Sequence, residues 1–336
     1  MERRLLPAGR QAVTQNRAVT EYKIQAGEYT ATITAQAGAL RELRHRGRDL
    51  VVPFPEGGPI PDYRGIVAAP WPNRIADGRY TFDGTEYEVP VNETDRGCAL
   101  HGLAFPLDWD LESHDGSSVT LSCTPQPTAG YPHEVRVVVE YRLAEDGLHS
   151  RVTASNLGGT AAPYGVCPHP YLVAGPAPLD EWTLEIPARQ FLEVTPDRLL
   201  PKETRSVEGH EFDFRTPRAI GATEIDHAFT DIAFDGGTAD GGTADGGASD
   251  GGAFDGGGLA RVLVRDPGGT GVGMAWDRTC QWFQIHTADK QPPAPNRLGL
   301  AVEPMTCPPD AFNSGVDLIR LEPGATHEAS WSIFAT

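Results

Sequence analysis

The stretch from Val135 to Leu143 restricts this chain most. Val135, Val137, Val139, Tyr141 and Leu143 interleave with Arg136, Val138, Glu140 and Arg142. A period of two held over this length predicts a strand with one buried face. A turn at Asp146-Gly147 follows, and Leu148 to Ala154 returns. The reading is a long antiparallel pair whose second face is solvated.

Other segments repeat the theme. Tyr29 to Thr34 reads as a strand, and Gly38 to Val52 as a strand pair broken at Gly47. Tyr80-Thr81-Phe82 and Thr85-Glu86-Tyr87 flank Asp83-Gly84, a hairpin signal because both turn positions need positive φ. Val119, Leu121 and Cys123 alternate. Further strands are predicted at Trp182 to Ile186, Arg261 to Arg265, Val272 to Asp277, Gln281 to Thr287 and Ala329 to Ala335. Arg64 to Tyr80 reads as a structured loop around a short strand. Almost no stretch shows a 3.6-residue stripe. With 38 Gly and 29 Pro in 336 residues, the pattern points to an all-β sandwich or barrel with few helices. The long strands favour a large sandwich.

Two segments fall outside that pattern. Residues 1–20 show no period and read as a flexible N-terminal arm. Residues 21–336 then form a single domain. Within it, residues 235–258 are Gly/Asp-rich with an Asp every fifth position, which reads as a flexible insert. Carboxylates bind hard cations, but no calcium-repeat pattern with a recurring hydrophobic position is present.

Charge and cysteines exclude several functions. Net charge is −18, which argues against nucleic acid as a partner, since phosphate binding needs a basic patch. Lys23, Lys202 and Lys290 are the only lysines among 28 basic residues. Arg-favouring codon usage accounts for that, and a salt-adapted acidic surface is a second account. No apolar run reaches membrane-span length and no secretory h-region is present, so no membrane partner and a cytoplasmic location are expected. Cys98, Cys123, Cys167, Cys280 and Cys307 are odd in number and scattered. They predict neither a disulfide framework nor a metal site, but small buried side chains.

Five stretches could carry chemistry. In Leu300 to Gly315 a short apolar run delivers Glu303, and Pro304 follows at once. Proline restricts its predecessor to extended backbone, so Glu303 is expected at a strand end, held in direction. Trp71-Pro72-Asn73-Arg74 sets a cation beside an aromatic. His101 precedes Gly102, His169 lies between Pro168 and Pro170, and Asp226-His227 begins an apolar run. Each has an ordinary alternative: a surface Glu, a turn His, a surface Arg, a turn-capping Asp. Together they form an acid/base and hydrogen-bonding inventory in loops beside strands, where sites are carried.

These stretches also carry a resemblance. The segments 73–89 (NRIADGRYTFDGTEYEV), 91–102 (VNETDRGCALHG), 164–172 (YGVCPHPYL), 225–231 (IDHAFTD), 281–289 (QWFQIHTAD) and 301–315 (AVEPMTCPPDAFNSG) are similar, in order, to the aldose 1-epimerases, or galactose mutarotases. That resemblance implies the family's large antiparallel β-supersandwich. It implies Glu303 as catalytic base and His169 as general acid, with Arg74, His101 and Asp226 binding sugar oxygens. One departure is Cys167-Pro168 before His169, where Gly-Ala or similar is expected. Asn73, Trp71 and Trp282 join the expected substrate-binding set, the tryptophans together with Phe229 as candidate stacking surfaces, although core packing is the commoner fate of each aromatic. Neither cofactor nor metal is expected. The expected partner is a monosaccharide, and the expected state a monomer or homodimer.

The implied activity is interconversion of the α and β anomers of a free aldohexose. A base near the C1 hydroxyl and an acid near the ring oxygen suffice. His is only partly protonated at neutral pH, and carboxylates nearby are expected to hold His169 as the cation. Alternatives are a mutarotase for a phosphorylated or sulfonated hexose, which needs extra cations at the site, and a non-catalytic carbohydrate-binding protein. A glycosidase would need two carboxylates across the scissile bond, leaving His169 without a role.

Overall fold

A computed structural model describes residues 20–235 and 258–336. The predicted arm, apart from Thr20, and the Gly/Asp-rich insert, apart from its two ends, lie outside the described residues.

The described residues are nearly all sheet, with one four-residue α-helix, Ala311–Ser314. The predicted alternation appears as Val135–Ala144, buried at every second residue. It pairs antiparallel with Gly147–Asn156 from Val135↔Asn156 to Ala144↔Gly147. The connecting loop is therefore Glu145-Asp146, one residue earlier than expected. Gly147 opens the returning strand at φ 136°, where a Cβ would lie 2.5 Å from the Ile333 carbonyl oxygen. This pair supplies the third and fourth strands of a nine-stranded antiparallel sheet. Thr326–Ala335 joins its far edge and Gly271–Trp276 follows.

A six-stranded antiparallel sheet packs against the first. Its order is Tyr171–Leu172, Leu300–Met305, Trp282–His286, Asp226–Ile232, Ala188–Val194, Pro201–Ser206. Period-two geometry splits its residues between two faces. Phe229, Phe283, Ile285 and Val302 belong to the main core. Trp276 of the large sheet meets Phe283 across that core, ring centroids 5.1 Å apart. Burying such aromatics contributes roughly 2–3 kcal/mol each. The opposite face carries Asp226, Gln284, His286 and Glu303 in register. It faces away from the main core and is covered by the loops of residues 54–105.

A four-stranded sheet, residues 21–49, completes the sandwich. Its strands Ala39–His45 and Arg48–Asp49 turn at Arg46-Gly47, both at positive φ. The Asp83-Gly84 hairpin forms as expected, at φ 50° and 76°. All five cysteines are buried free thiols.

Candidate active site

Glu303 sits inside a strand rather than at its end: Leu300–Met305 is buried along its whole length. Its neighbour in register is Gln284. One strand further, Asp226 pairs with His286. Gln284 Nε2 donates to Asp226 Oδ1 at 2.7 Å, and His286 Nδ1 stands 3.8 Å from Asp226 Oδ2. Three adjacent strands thus make a polar floor from residues that alternate with core positions.

His169 hangs over this floor. Its main chain is tied on both sides, His169 N to the Ile66 carbonyl at 3.1 Å and Gly65 N to the His169 carbonyl at 2.8 Å. The ring stacks on Tyr171 at 5.4 Å and meets His101 edge-on at 4.9 Å. Its Nε2 lies 3.4 Å from Glu303 Oε1, with 7% and 2% of the two side chains exposed. Cys167, the departure noted in the sequence, leaves this geometry intact. Its thiol approaches the other oxygen, Glu303 Oε2, at 3.8 Å.

His101 is held at φ 61° and Gly102 at φ 77°. A Cβ on Gly102 would lie 2.1 Å from the Ala69 carbonyl oxygen. That oxygen already accepts from Leu103 N and Ala104 N at 2.8 and 2.9 Å, so it has nowhere to move. Gly102→Ala is expected to destabilise the protein by about 3 kcal/mol or more. Chemical denaturation would measure it, and loss of activity should accompany any recovery of the fold, because His101 would be displaced.

Arg74 begins the strand Arg74–Ala76, which pairs with Cys98–Leu100. Its guanidinium donates from Nε and Nη2 to the two oxygens of Glu93, each at 2.8 Å. Nη1 reaches Asn73 Oδ1 at 3.3 Å. Apart from Cys167, these side chains line one cavity of about 280 Å³, together with Asp62, Tyr63, Arg96, Asp289 and Lys290. The size is at the small end for ligand pockets, suited to a single sugar ring. Lys290 is paired with Asp62, and Arg96 with Glu93 at 3.3 Å. Among the described residues, no three His, Cys, Asp or Glu side chains come together as a metal site.

Burial dominates the electrostatics. Desolvation pushes Glu303 up to about 8, aided by the Asp226 charge and opposed by Arg74 and the Cys167 thiol. The same burial, with His286, pushes His169 down to about 3, against the pull of Asp226 and Asp62. This corrects the expectation that neighbouring carboxylates hold His169 as a cation: taking the imidazolium out of water costs more than they return. His101 lies well below its ordinary value, by burial first and by His169 and Arg74 after it. Burial would raise Asp226, but His286, Arg74 and Gln284 outweigh it and its carboxyl is lowered.

Of the expected site residues, Glu303, His169, Arg74, His101, Asp226 and Asn73 meet at the cavity. The tryptophans do not. Trp71 is 2% exposed and packs against Phe312 and Tyr131 in the main core. Trp282 packs with Met305, Ala228 and Cys167, and its indole donates to Asp317 at 2.7 Å. Both are core residues, each ring packed on apolar neighbours with its indole N–H satisfied, that of Trp71 by the Ala99 carbonyl at 3.3 Å. Sequence reasoning missed Glu93, Gln284, His286, Tyr63 and Tyr171. Gln284 and His286 were legible as polar residues two apart in an apolar strand.

The model of the aldose 1-epimerase family matches residues 20–333. The chain belongs to that family. It is therefore an epimerase, an isomerase by reaction class. The epimerase is 36% identical to the uncharacterized protein YihR of Escherichia coli (strain K12) over 314 residues, 93% of this chain and 92% of that one. It is 29% identical to galactose mutarotase of Rattus norvegicus over 218 residues, 61% and 63% of the two chains. A putative aldose 1-epimerase from Escherichia coli K12 superposes with a TM-score of 0.77 at 20% identity, covering 95% of this chain and 99% of that one. A GalM/aldose epimerase homologue from C. elegans does so at 0.77 and 19%, covering 95% and 99%. These structural likenesses fix the fold of the epimerase as galactose mutarotase-like. No helix among the described residues is long and apolar enough to cross a membrane.

Proposed function

We propose that this epimerase exchanges the α and β anomers of a free aldohexose, with Glu303 as base and His169 as acid. The observation that carries the reading is the 3.4 Å approach of His169 Nε2 to Glu303 Oε1 at the base of a sugar-sized cavity. Glu303 takes the proton of the C1 hydroxyl as His169 gives one to the ring oxygen. The bond from C1 to the ring oxygen breaks and the aldehyde forms. Rotation about C1–C2 exposes the other carbonyl face. Reclosure returns a proton to His169 and removes one from Glu303. Arg74, His101, Asp226 and Asn73 bind the remaining oxygens.

The pair needs one proton in total. In the empty cavity that proton rests on Glu303, next to neutral imidazole. Passing it to His169 gives the working carboxylate and imidazolium at the same net charge. Hydroxyl donors from the bound sugar favour that transfer by stabilising the carboxylate. The one-proton form exists between the two values, about 3 and about 8.

A second reading, a phosphorylated or sulfonated hexose, has one observation in its favour, namely that Arg96 and Lys290 line the cavity. Both are already paired with carboxylates, so the uncharged sugar is adopted. Polarimetry of freshly dissolved α-D-glucose, α-D-galactose and glucose 6-phosphate tests both readings. Acceleration for a free hexose is expected, with kcat/KM level through neutral pH and falling about tenfold per pH unit above about 8. No acceleration with any free aldose rejects the proposal, and preference for the phosphate selects the second reading. Binding of aldoses without acceleration would instead leave a carbohydrate-binding protein.

A further inference from the structure

Arg74 is fixed by a residue to which the sequence pattern assigns nothing. Glu93 lies in the loop leading to the strand Cys98–Leu100. It takes two parallel hydrogen bonds from Arg74, both 2.8 Å, and a third from Arg96 at 3.3 Å. The side chains of Arg74 and Glu93 are 8% and 14% exposed. A bidentate fork of this kind sets the plane of the guanidinium as well as its position. A lysine at position 74 could not be held in this way. Nη1 of Arg74 is thereby directed to Asn73 Oδ1 at the cavity wall.

We propose that Glu93 is a positioning residue of the epimerase. It fixes the direction of Arg74, and it withholds part of that cation's field from Glu303 and Asp226. The inference rests on the anomer-exchange reading above. Glu303 is faced by His169, Cys167, Asp226 and Arg74, with Tyr171 beside it. Arg74 is faced by Glu93, Asp226 and the Cys98 thiol. Within this set Arg74 is the cation that pulls Glu303 down against its burial. Neutralising Glu93 leaves that pull unopposed, so the Glu303-dependent pH limb moves to lower pH. Shortening Glu93 to Asp keeps the charge that opposes Arg74 but breaks the fork, so the rate falls while the limb moves less than in Glu93→Gln.

The test is polarimetric anomer exchange with wild type, Glu93→Gln, Glu93→Asp, Arg74→Gln and the Arg74→Gln/Glu93→Gln pair. Glu93→Gln and Arg74→Gln are each expected to lower kcat/KM on the order of 10²-fold, the scale of a misplaced binding group. The double variant is expected to match Arg74→Gln alone, because Glu93 acts through Arg74. The falling limb of Glu93→Gln should lie below that of wild type, while Glu93→Asp loses rate several-fold with a smaller shift than Glu93→Gln. A double variant that loses the product of the two single effects overturns the inference, as does Glu93→Gln with wild-type rate and limb. If Glu93→Gln fails to fold with Arg74 buried unpaired, the double variant still decides, since it contains no such charge. Wild type inert toward every free aldose overturns the anomer-exchange reading itself, an outcome independent of Glu93.

Discussion

Glu303→Gln is expected to abolish anomer exchange while making the protein more stable at alkaline pH. The amide keeps the shape of the carboxyl inside a strand whose every residue is buried, but it cannot take up and return a proton near neutral pH. A loss of about 10³-fold in kcat follows from removing one acid/base partner. KM should change little, because the group acts in the transition state rather than in uniform binding. The stability effect has a definite sign. Burial raises Glu303 from 4.5 to about 8 in the fold. A raised carboxyl contributes stability in full below its unfolded value and loses it as pH rises through about 8. Glutamine never ionises and escapes that loss, so the variant should gain roughly 2–4 kcal/mol over wild type at pH 9, and little at pH 4. Urea denaturation at the two pH values measures the difference. Equal stability at both would mean that Glu303 is well hydrated, and the raised value would have to be abandoned. A gain of this kind marks a group kept for chemistry at the expense of the fold.

The fold was legible where the rules are local. The alternation at Val135 to Leu143 and the Asp83-Gly84 turn depend on neighbours in sequence, and both formed as read. The exception, a turn placed one residue late at Gly147, reflects the return strand's contact with Ile333, which lies 186 positions away and leaves no local signal. At the site, sequence located the residue types and not their depth. Trp282, Gln284 and His286 share one face of one strand, yet Trp282 lies in the second small core and the other two line the cavity. Period two assigns a face; only the loops laid over that face decide which positions stay open. Glu93 was illegible for a related reason. Its partner Arg74 is 19 residues away, and a charged residue in a polar loop reads as solvated until the clamp is seen.

The charge state of His169 depends wholly on tertiary burial, and this yields the second large effect. His169→Asn should lower the rate on the order of 10³-fold and reverse the sign of its pH dependence. In wild type the working pair contains one proton, which is lost as pH rises through about 8, so activity falls there. Without the imidazole, Glu303 is the one remaining proton-transfer group of the pair. It must be ionised to act as base, and water must protonate the ring oxygen. The residual rate should then rise with pH up to about 8 and level off. The fold has reason to tolerate the change. Backbone hydrogen bonds to Ile66 and from Gly65 hold position 169 whatever its side chain, and Nδ1 of His169 makes no hydrogen bond that the variant would lose. What goes is the 3.4 Å approach of Nε2 to Glu303 and the ring packing against Tyr171 and His101, the packing alone a cost of about 1–2 kcal/mol. Polarimetric rates from pH 5 to 9 give both profiles. A variant whose slower rate still falls above pH 8 would show that a different group supplies the proton, and would remove His169 from the chemistry while leaving Glu303 in place.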